Sequence, residues 1–212
     1  MIDLYTANTP NGKKASIMLE EVGLDYIAHP VNLQAGEQFN DDYVLINPNS
    51  KIPAIIDGDG PGGKQARVFE SGAILIYLAE KCGRTDLWPT DGLARYAVLE
   101  WLMWQMSAIG PMCGQALHFL KFAKEDVPAA KERFGNEVKR LFGVMDRQLG
   151  KTAYLAGDVF TIADIATYPW IDRRMGYQVN LDDYPNVRRW YETVSARESV
   201  EAGMQVPQPF PG

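Results

Sequence analysis

Segments with the composition of β-strands occur only in the first 83 residues of this sequence. Residues 2–7 and 26–31 read as strands, and they flank an apolar stretch, 13–22, that has helical spacing. Shorter strand patterns follow at 54–56 and 66–69, with a loop rich in Gly, Asp and Pro between them. A chain with this pattern must build its sheet entirely from its amino-terminal part.

The order of these segments predicts a specific kind of sheet domain. A short helical turn is expected at 41–46, and a helix is expected to begin at Glu70 and to end near Gly83, which suits a left-handed cap. The resulting order, β-α-β followed by β-β-α, is that of a thioredoxin-like fold. We therefore predict an α/β domain of that kind.

The rest of the chain shows helical patterns only. Residues 95–107 read as a Trp-rich helix, and 129–149 place apolar side chains at steps of three and four. Thr161 and Asp164 have the spacing of a capping box at the start of a buried helix, which indicates a structural role. We expect an α/β domain followed by a helical bundle.

The predicted domain boundaries follow from these patterns. Residues 1–84 form the thioredoxin-like domain, 85–91 form a linker that contains Trp88 and Pro89, and 92–212 form an all-helical domain.

Composition excludes several classes of function. The chain has 21 Lys and Arg against 27 Asp and Glu, a net charge of -6, and no basic run, so nucleic-acid binding is not expected. It has no apolar segment of the roughly 20 residues that a membrane span requires, and no signal-peptide pattern, so we expect a cytoplasmic protein without membrane partners. Cys82 and Cys113 form neither a disulfide framework nor a C-x-x-C motif, and the isolated His29 and His118 predict no metal site.

Two motifs predict a binding site for a short anionic peptide. Pro53 opens an apolar run and has no N–H, which would leave the backbone groups of Ile52 available to an extended ligand. Glu70 and Ser71 open a helix, whose first N–H groups and the Ser71 hydroxyl would hold a carboxylate.

These motifs carry a resemblance to a known family. The segments 49–56 and 67–74 resemble the thioredoxin-like domain of the soluble glutathione transferases, and the Thr161 to Asp164 box is similar to the one that opens the core helix of their second domain. The family's usual activating Tyr, Ser or Cys is replaced here by the loop Thr9-Pro10-Asn11-Gly12. With that loop, the chain looks most like the Nu-class bacterial transferases, which resemble glutathione-dependent disulfide reductases that use no protein cysteine.

The resemblance implies a role for each matching residue. Thr9 and Asn11 would stabilise the glutathione thiolate at the turn where the first strand meets the first helix, although taken alone this turn also reads as a simple helix cap. The remaining implied glutathione contacts are the Ile52 backbone beside Pro53 for the cysteinyl unit, Glu70 for the α-amine, Ser71 for the γ-glutamyl carboxylate, Gln38 and Lys51 for the glycyl end, and Arg133 from a neighbouring subunit.

The expected activity is the reduction of disulfides by a homodimer that binds two glutathione molecules, or glutathione disulfide, in one cleft. Glutathione is then a cosubstrate, and no metal is required. One alternative is conjugation of glutathione to an electrophilic carbon. Another is a non-catalytic binding module with the same fold, although a scaffold would not need the set that includes Thr9, Asn11 and Ser71.

Overall fold

The protein was analysed as a computed structural model, which describes residues 1–208. Contacts between Cα atoms divide the chain into two compact units. Of the described residues, the first unit contains Met1–Trp88 and 197–208, and the second contains Pro89–Ala196. Within residues 1–208, no helix is both long enough and apolar enough to cross a membrane.

A four-stranded mixed sheet forms the centre of the first unit. Its strands are β1 (Ile2–Thr6), β2 (Tyr26–Pro30), β3 (Ala54–Asp57) and β4 (Ala66–Phe69). They lie in the order β2-β1-β3-β4, in which β1 is parallel to β2 and β3 is antiparallel to both of its neighbours. Alternate residues of β1 are buried, as expected for a central strand. The predicted thioredoxin-like order of elements is confirmed.

The helices of the first unit are α1 (Pro10–Val22), α2 (Asp41–Val44), α3 (Ser71–Lys81) and α9 (Glu198–Gly203), with short 3-10 turns at Glu37–Phe39 and Pro61–Gly63. Helix α1 begins three residues before the predicted start, because Thr9 caps it and Pro10 occupies the first helical position, where its missing N–H costs nothing. Helix α3 begins at Ser71 rather than at Glu70, which instead precedes the helix with a φ of 69°. Gly83 has a φ of 62°, which confirms the predicted left-handed cap.

Helix α9 packs in the first unit, although the predicted domain boundaries placed it in the second domain. The sequence assigned 92–212 to one helical domain, whereas α9 packs against α1 of the first unit. The Ser16 hydroxyl donates to the Gly203 carbonyl over 2.7 Å, and Lys13 Nζ donates to the Met204 carbonyl over 2.7 Å. A Cβ added to Gly203 would lie 2.4 Å from Ile17 Cα, so the close approach of the two helices depends on glycine.

The second unit is helical, as predicted. Its elements are α4 (Gly92–Trp104), α5 (Gly110–Leu117), α6 (Pro128–Leu149), α7 (Ile162–Asp172) and α8 (Pro185–Ser195), with π-helical segments at Gln105–Ile109 and His118–Phe122 and 3-10 turns at Arg173–Tyr177 and Leu181–Asp183. The predicted helix over 95–107 instead changes to π geometry at Gln105. Pro111 has no N–H for the carbonyl four residues earlier, which disfavours a continuous α-helical ladder here.

The predicted capping box at the start of α7 is confirmed, and it reaches further than the sequence indicated. The Thr161 hydroxyl accepts from the Ala163 N–H, and the Asp164 carboxylate accepts from the Thr161 N–H over 3.0 Å. Asp164 also accepts from the Leu155 N–H over 3.0 Å and from Trp190 Nε1 over 2.8 Å. Burial raises the pKa of Asp164 to about 6, while these bonds to the carboxylate oppose that shift.

Candidate functional site

The turn between β1 and α1 brings a hydroxyl to the amino-terminal end of a helix. Thr9 Oγ1 accepts from the Gly12 N–H over 3.2 Å, so the structure confirms that Thr9 is a helix cap. A hydroxyl that accepts one bond still has a hydrogen to donate, and a role toward a thiolate is compatible with this cap. A Cβ on Gly12 would lie 2.2 Å from the Ala7 carbonyl oxygen, so this tight turn requires glycine.

Asn11 is the second residue of α1 and is half-buried. The first turn of an α-helix has N–H groups without intrahelical acceptors, and the helix dipole makes this end positive. An anion held near Thr9 and Asn11 would therefore be stabilised by the helix itself as well as by the two side chains.

The loop before β3 is fixed by a buried asparagine and a tyrosine. Asn47 donates to the Lys51 carbonyl over 2.6 Å and accepts from the Asn49 N–H over 2.9 Å, while the Tyr43 hydroxyl also donates to the Lys51 carbonyl, over 2.7 Å. This anchor was not predicted from the sequence, although the Asn47-Pro48-Asn49 run is a recognisable turn signal.

This anchor fixes the loop that contains Ile52, whose backbone was predicted to pair with a peptide ligand. The bond between Ile52 and Pro53 is cis, which the sequence alone left open. Within residues 1–208, the N–H and carbonyl of Ile52 make no hydrogen bond. The backbone of Ile52 is therefore available to an extended ligand, as predicted.

Gln38 and Lys51 were predicted to face the glycyl end of the ligand. The Lys51 side chain is exposed. Gln38 lies in the 3-10 turn, and its side-chain oxygen is buried without a hydrogen-bond partner among the described residues. Their role in binding a ligand stays a prediction.

Glu70 and Ser71 lie where β4 meets α3. Glu70 has φ 69° and ψ 116°, a conformation that costs a non-glycine residue about 1–3 kcal/mol and is often found at ligand sites. The Glu70 carboxylate is exposed and accepts from Asn49 Nδ2 over 3.4 Å, which joins the Asn47 to Pro53 loop to the start of the helix. Ser71 is 3% exposed and begins α3, whose first N–H groups have no acceptor within the helix.

The sequence analysis also missed Lys14, a buried lysine next to this helix start. Lys14 is 1% exposed, and its Nζ donates to Ser71 Oγ over 3.2 Å. Burial lowers the pKa of Lys14 to about 7, while the negative charge of Glu70 acts in the opposite direction. A signal was present, because Lys14 lies three and four residues before Ile17 and Met18 on the predicted buried face of the helix.

The cysteines occupy other parts of the fold. Cys113 is fully buried in α5 of the second unit, and burial raises the pKa of its thiol. Cys82 is partly exposed just after α3, and burial raises its pKa as well. A raised pKa reduces the thiolate fraction, so neither thiol is activated as a nucleophile.

Tyr5 is a half-buried residue of β1. Its ring stacks on His29 with centroids 4.8 Å apart, and burial raises the pKa of its hydroxyl. A tyrosine with a raised pKa is not an acidic donor for a thiolate.

Arg133 lies in the second unit, on the exposed side of α6. It lines a surface pocket of about 650 Å³ together with Met112, Phe134 and Glu137. A contact between Arg133 and a neighbouring subunit stays a prediction.

Within residues 1–208, no group of three or more His, Cys, Asp or Glu side chains is arranged to hold a metal ion. The site described here is built from a helix start, a loop backbone and polar side chains. These groups suit an anionic, peptide-like ligand.

Family models match both units. The glutathione S-transferase N-terminal domain matches residues 2–80, and the glutathione S-transferase C-terminal domain matches residues 109–198. The chain belongs to the glutathione S-transferase family.

Among characterised relatives, the disulfide-bond oxidoreductase YfcG of Escherichia coli K12 is 43% identical over 201 residues, which cover 94% of this chain and 93% of that protein. The disulfide-bond oxidoreductase YghU of the same strain is 38% identical over 215 residues, covering 95% of this chain and 73% of that protein.

Solved structures of similar proteins contain the expected ligand. A glutathione transferase family member from Pseudomonas fluorescens Pf-5, with two glutathione molecules bound, matches with a TM-score of 0.92 and 46% identity over 97% of this chain and 93% of that one. A glutathione transferase from Pseudomonas putida, with one glutathione disulfide bound per subunit, matches with a TM-score of 0.92 and 43% identity over 97% and 91% of the two chains.

Proposed function

We propose that this protein is a glutathione-dependent disulfide reductase in which both reacting thiols come from glutathione. The main support is that similar structures at 46% and 43% identity hold two glutathione molecules and one glutathione disulfide, respectively. These ligands are the reduced and the oxidised forms of the same pair of thiols. The names of the relatives YfcG and YghU point to the same reaction.

The reaction needs an attacking thiolate and a second thiol. The thiolate of one glutathione attacks a sulfur of the substrate disulfide, which forms a mixed disulfide and releases one substrate thiolate that takes up a proton. The second glutathione thiolate then attacks the glutathione sulfur of the mixed disulfide and releases the other substrate thiolate. The products are two substrate thiols and glutathione disulfide, and the two electrons come from the glutathione thiols.

Thr9 and Asn11 would lower the pKa of the glutathione thiol. Thr9 has a hydroxyl hydrogen to donate, and Asn11 lies at the positive end of α1. An ordinary thiol has a pKa of about 8.5, so stabilising the anion increases the reactive fraction at neutral pH.

The other predicted contacts would hold the tripeptide along the edge formed by the loop and α3. The Ile52 backbone next to Pro53 pairs with the cysteinyl unit, Ser71 and the start of α3 bind the γ-glutamyl carboxylate, and Glu70 accepts from the α-amine. The availability of the Ile52 backbone and the position of Ser71 at a helix start support this assignment. Gln38 and Lys51 would bind the glycyl carboxylate.

A homodimer in which Arg133 of one subunit reaches the site of the other is part of this proposal. Apolar side chains of α4 support an interface, because Leu93 is 88% exposed and Tyr96 is 62% exposed. A monomeric mass in light scattering, with full activity at the same concentration, would contradict the dimer. A cytoplasmic location also stays a prediction.

Two assays run side by side test the activity. We expect faster glutathione-dependent reduction of hydroxyethyl disulfide than conjugation of a chlorinated aromatic compound. The reverse ratio would favour the conjugating transferase. Retention on a glutathione column without either activity would favour a non-catalytic binding module, and failure to bind glutathione would contradict the proposal as a whole.

A further inference from the structure

The ammonium group of Lys14 is buried directly behind the residue that begins α3. Lys14 Nζ lies 3.2 Å from Ser71 Oγ, and the two residues are 1% and 3% exposed. A charged ammonium has only hydrogens to donate, so the Ser71 oxygen must be the acceptor in this pair. The Ser71 hydroxyl hydrogen is then directed away from Lys14.

A neutral Lys14 could reverse the direction of this hydrogen bond. An uncharged amine keeps two N–H groups and has a lone pair, so it can either donate to the Ser71 hydroxyl or accept from it. A charged Lys14 cannot compete with a carboxylate at the start of α3 for the Ser71 hydrogen, whereas a neutral Lys14 can.

Lys14 is poised between its two protonation states near neutral pH. Burial lowers its pKa to about 7, and the carboxylate of Glu70 opposes this shift. A second negative charge near Ser71 would act in the same direction as Glu70 and favour the charged ammonium.

Glu70 is the charged side chain that acts on Lys14 across the start of α3. Other charged groups on α1 and on the elements that pack against it are engaged elsewhere or exposed: Lys13 with Met204, Glu20 with Tyr26, Glu21 with Arg84 and Arg197, Glu80 with Trp88, Lys81 with Asp57, Asp3 with His29, and the exposed Glu198 and Glu201 of α9.

We propose that Lys14 takes up a proton when a carboxylate binds at Ser71, so that a buried cation forms behind the anion site while the ligand is present. Lys14 is a positioning residue in this scheme, because it acts through Ser71. The identity of the carboxylate as that of the γ-glutamyl unit rests on the proposed function. Binding is then favoured at low pH, because it consumes a proton.

Calorimetry with S-methylglutathione tests this coupling, since that ligand has no thiol to ionise. Titrations in two buffers of different ionisation enthalpy give the number of protons taken up. With a Lys14 pKa of about 7 in the ligand-free protein and a charged Lys14 in the complex, we expect an uptake of about 0.9 proton at pH 8 and about 0.1 at pH 6. The same linkage predicts affinity about tenfold weaker at pH 8 than at pH 6.

Two lysine variants separate this role from a structural one. Lys14→Met should reduce the uptake at pH 8 to nearly zero. Lys13→Met is a matched control, because Lys13 is also buried, at 6% exposed, but its Nζ bonds to the Met204 carbonyl. We expect Lys13→Met to retain the proton uptake of the wild type.

Equal proton uptake by the wild type and Lys14→Met would overturn the role of Lys14 and leave the proposed function intact. If Lys14→Met does not fold, the proton uptake of the wild type alone tests the inference. An uptake that is the same at pH 6 and pH 8 would overturn it. A wild-type protein that does not bind S-methylglutathione at all would overturn the proposed function, and the inference with it.

Discussion

At the scale of single residues, the candidate site depends on where each hydrogen points. Thr9 and Ser71 both accept one bond from the protein, the first from the Gly12 N–H and the second from Lys14. A hydroxyl that accepts from a backbone N–H or from a charged ammonium directs its own hydrogen away from that donor. Two such donors on neighbouring helix starts suit a ligand that has both a thiolate and a carboxylate.

Ser71→Ala should weaken glutathione binding about 10- to 100-fold, because a bond to a charged group contributes about 1.5–3 kcal/mol. Calorimetry measures the change. Ser16→Ala is a suitable control, since Ser16 is buried in α1 but its hydroxyl bonds to the Gly203 carbonyl. It should leave affinity unchanged, and unchanged affinity in Ser71→Ala would remove Ser71 from the site.

Asn11→Ala should lower turnover more than it weakens binding, because stabilisation of a thiolate affects reactivity first. The ultraviolet absorbance of bound thiolate gives the thiol pKa, which we expect to rise in Asn11→Ala and in Thr9→Ala. Thr9→Ser retains the hydroxyl and serves as a control for the helix cap. An identical thiol pKa in the wild type and in both alanine variants would contradict the activating role.

At the scale of secondary-structure elements, the buried carboxylate of Asp164 joins three parts of the second unit. It accepts from the start of α7 at Thr161, from the loop at Leu155 and from Trp190 of α8. The sequence predicted only the first of these contacts, because a capping box is local in the chain. The bond to Trp190 spans 26 residues and depends on how α8 packs.

Asp164→Ala should lower the free energy of unfolding by about 3 kcal/mol or more, because it leaves several buried donors without an acceptor. Urea denaturation measures the loss. Asp158→Ala removes an exposed carboxylate that, among the described residues 1–208, accepts only from the Ala153 N–H, and it should cost about 1 kcal/mol or less. Comparable losses in the two variants would show that burial of the carboxylate is not the decisive factor.

At the scale of the whole molecule, sequence patterns predicted the structural features that depend on residues close together in the chain. The order of strands and helices along the first 83 residues, the Gly83 cap and the capping box of α7 all follow from local composition and spacing. Two features that these patterns did not predict depend on residues far apart in the chain. The contact of Lys14 with Ser71 spans 57 residues, and that of Ser16 with Gly203 spans 187.

The candidate site was also predictable only where its residues carry local sequence signals. The start of a helix and the proline that follows Ile52 carry local signals, so the sequence could name Ser71 and the Ile52 backbone as candidates. Their contacts with glutathione stay predictions. Of the groups that fix them, Asn47 is local, because it bonds to Lys51 four residues later and its turn signal is present in the sequence. The contact of Lys14 with Ser71 depends on packing between α1 and α3, which a single sequence does not reveal.

The positions of the two cysteines in the whole chain bear on which thiols reduce the substrate. Cys113 is buried in the second unit, and Cys82 lies at the far end of α3, roughly 16 Å from Ser71 at 1.5 Å per residue. Burial raises the pKa of both thiols, so neither is prepared to attack a disulfide. In the proposed reaction, both electrons would then come from glutathione.

The double variant Cys82→Ser, Cys113→Ser should therefore retain most of its glutathione-dependent disulfide reductase activity, provided that it folds. Circular dichroism checks the fold, and calorimetry checks that glutathione still binds. Asn11→Ala in the same assay is the informative comparison, since it keeps both cysteines and should lose turnover. A folded double variant that binds glutathione normally but has lost reductase activity would show that a protein cysteine takes part, and a mechanism with two glutathione thiols would have to be abandoned.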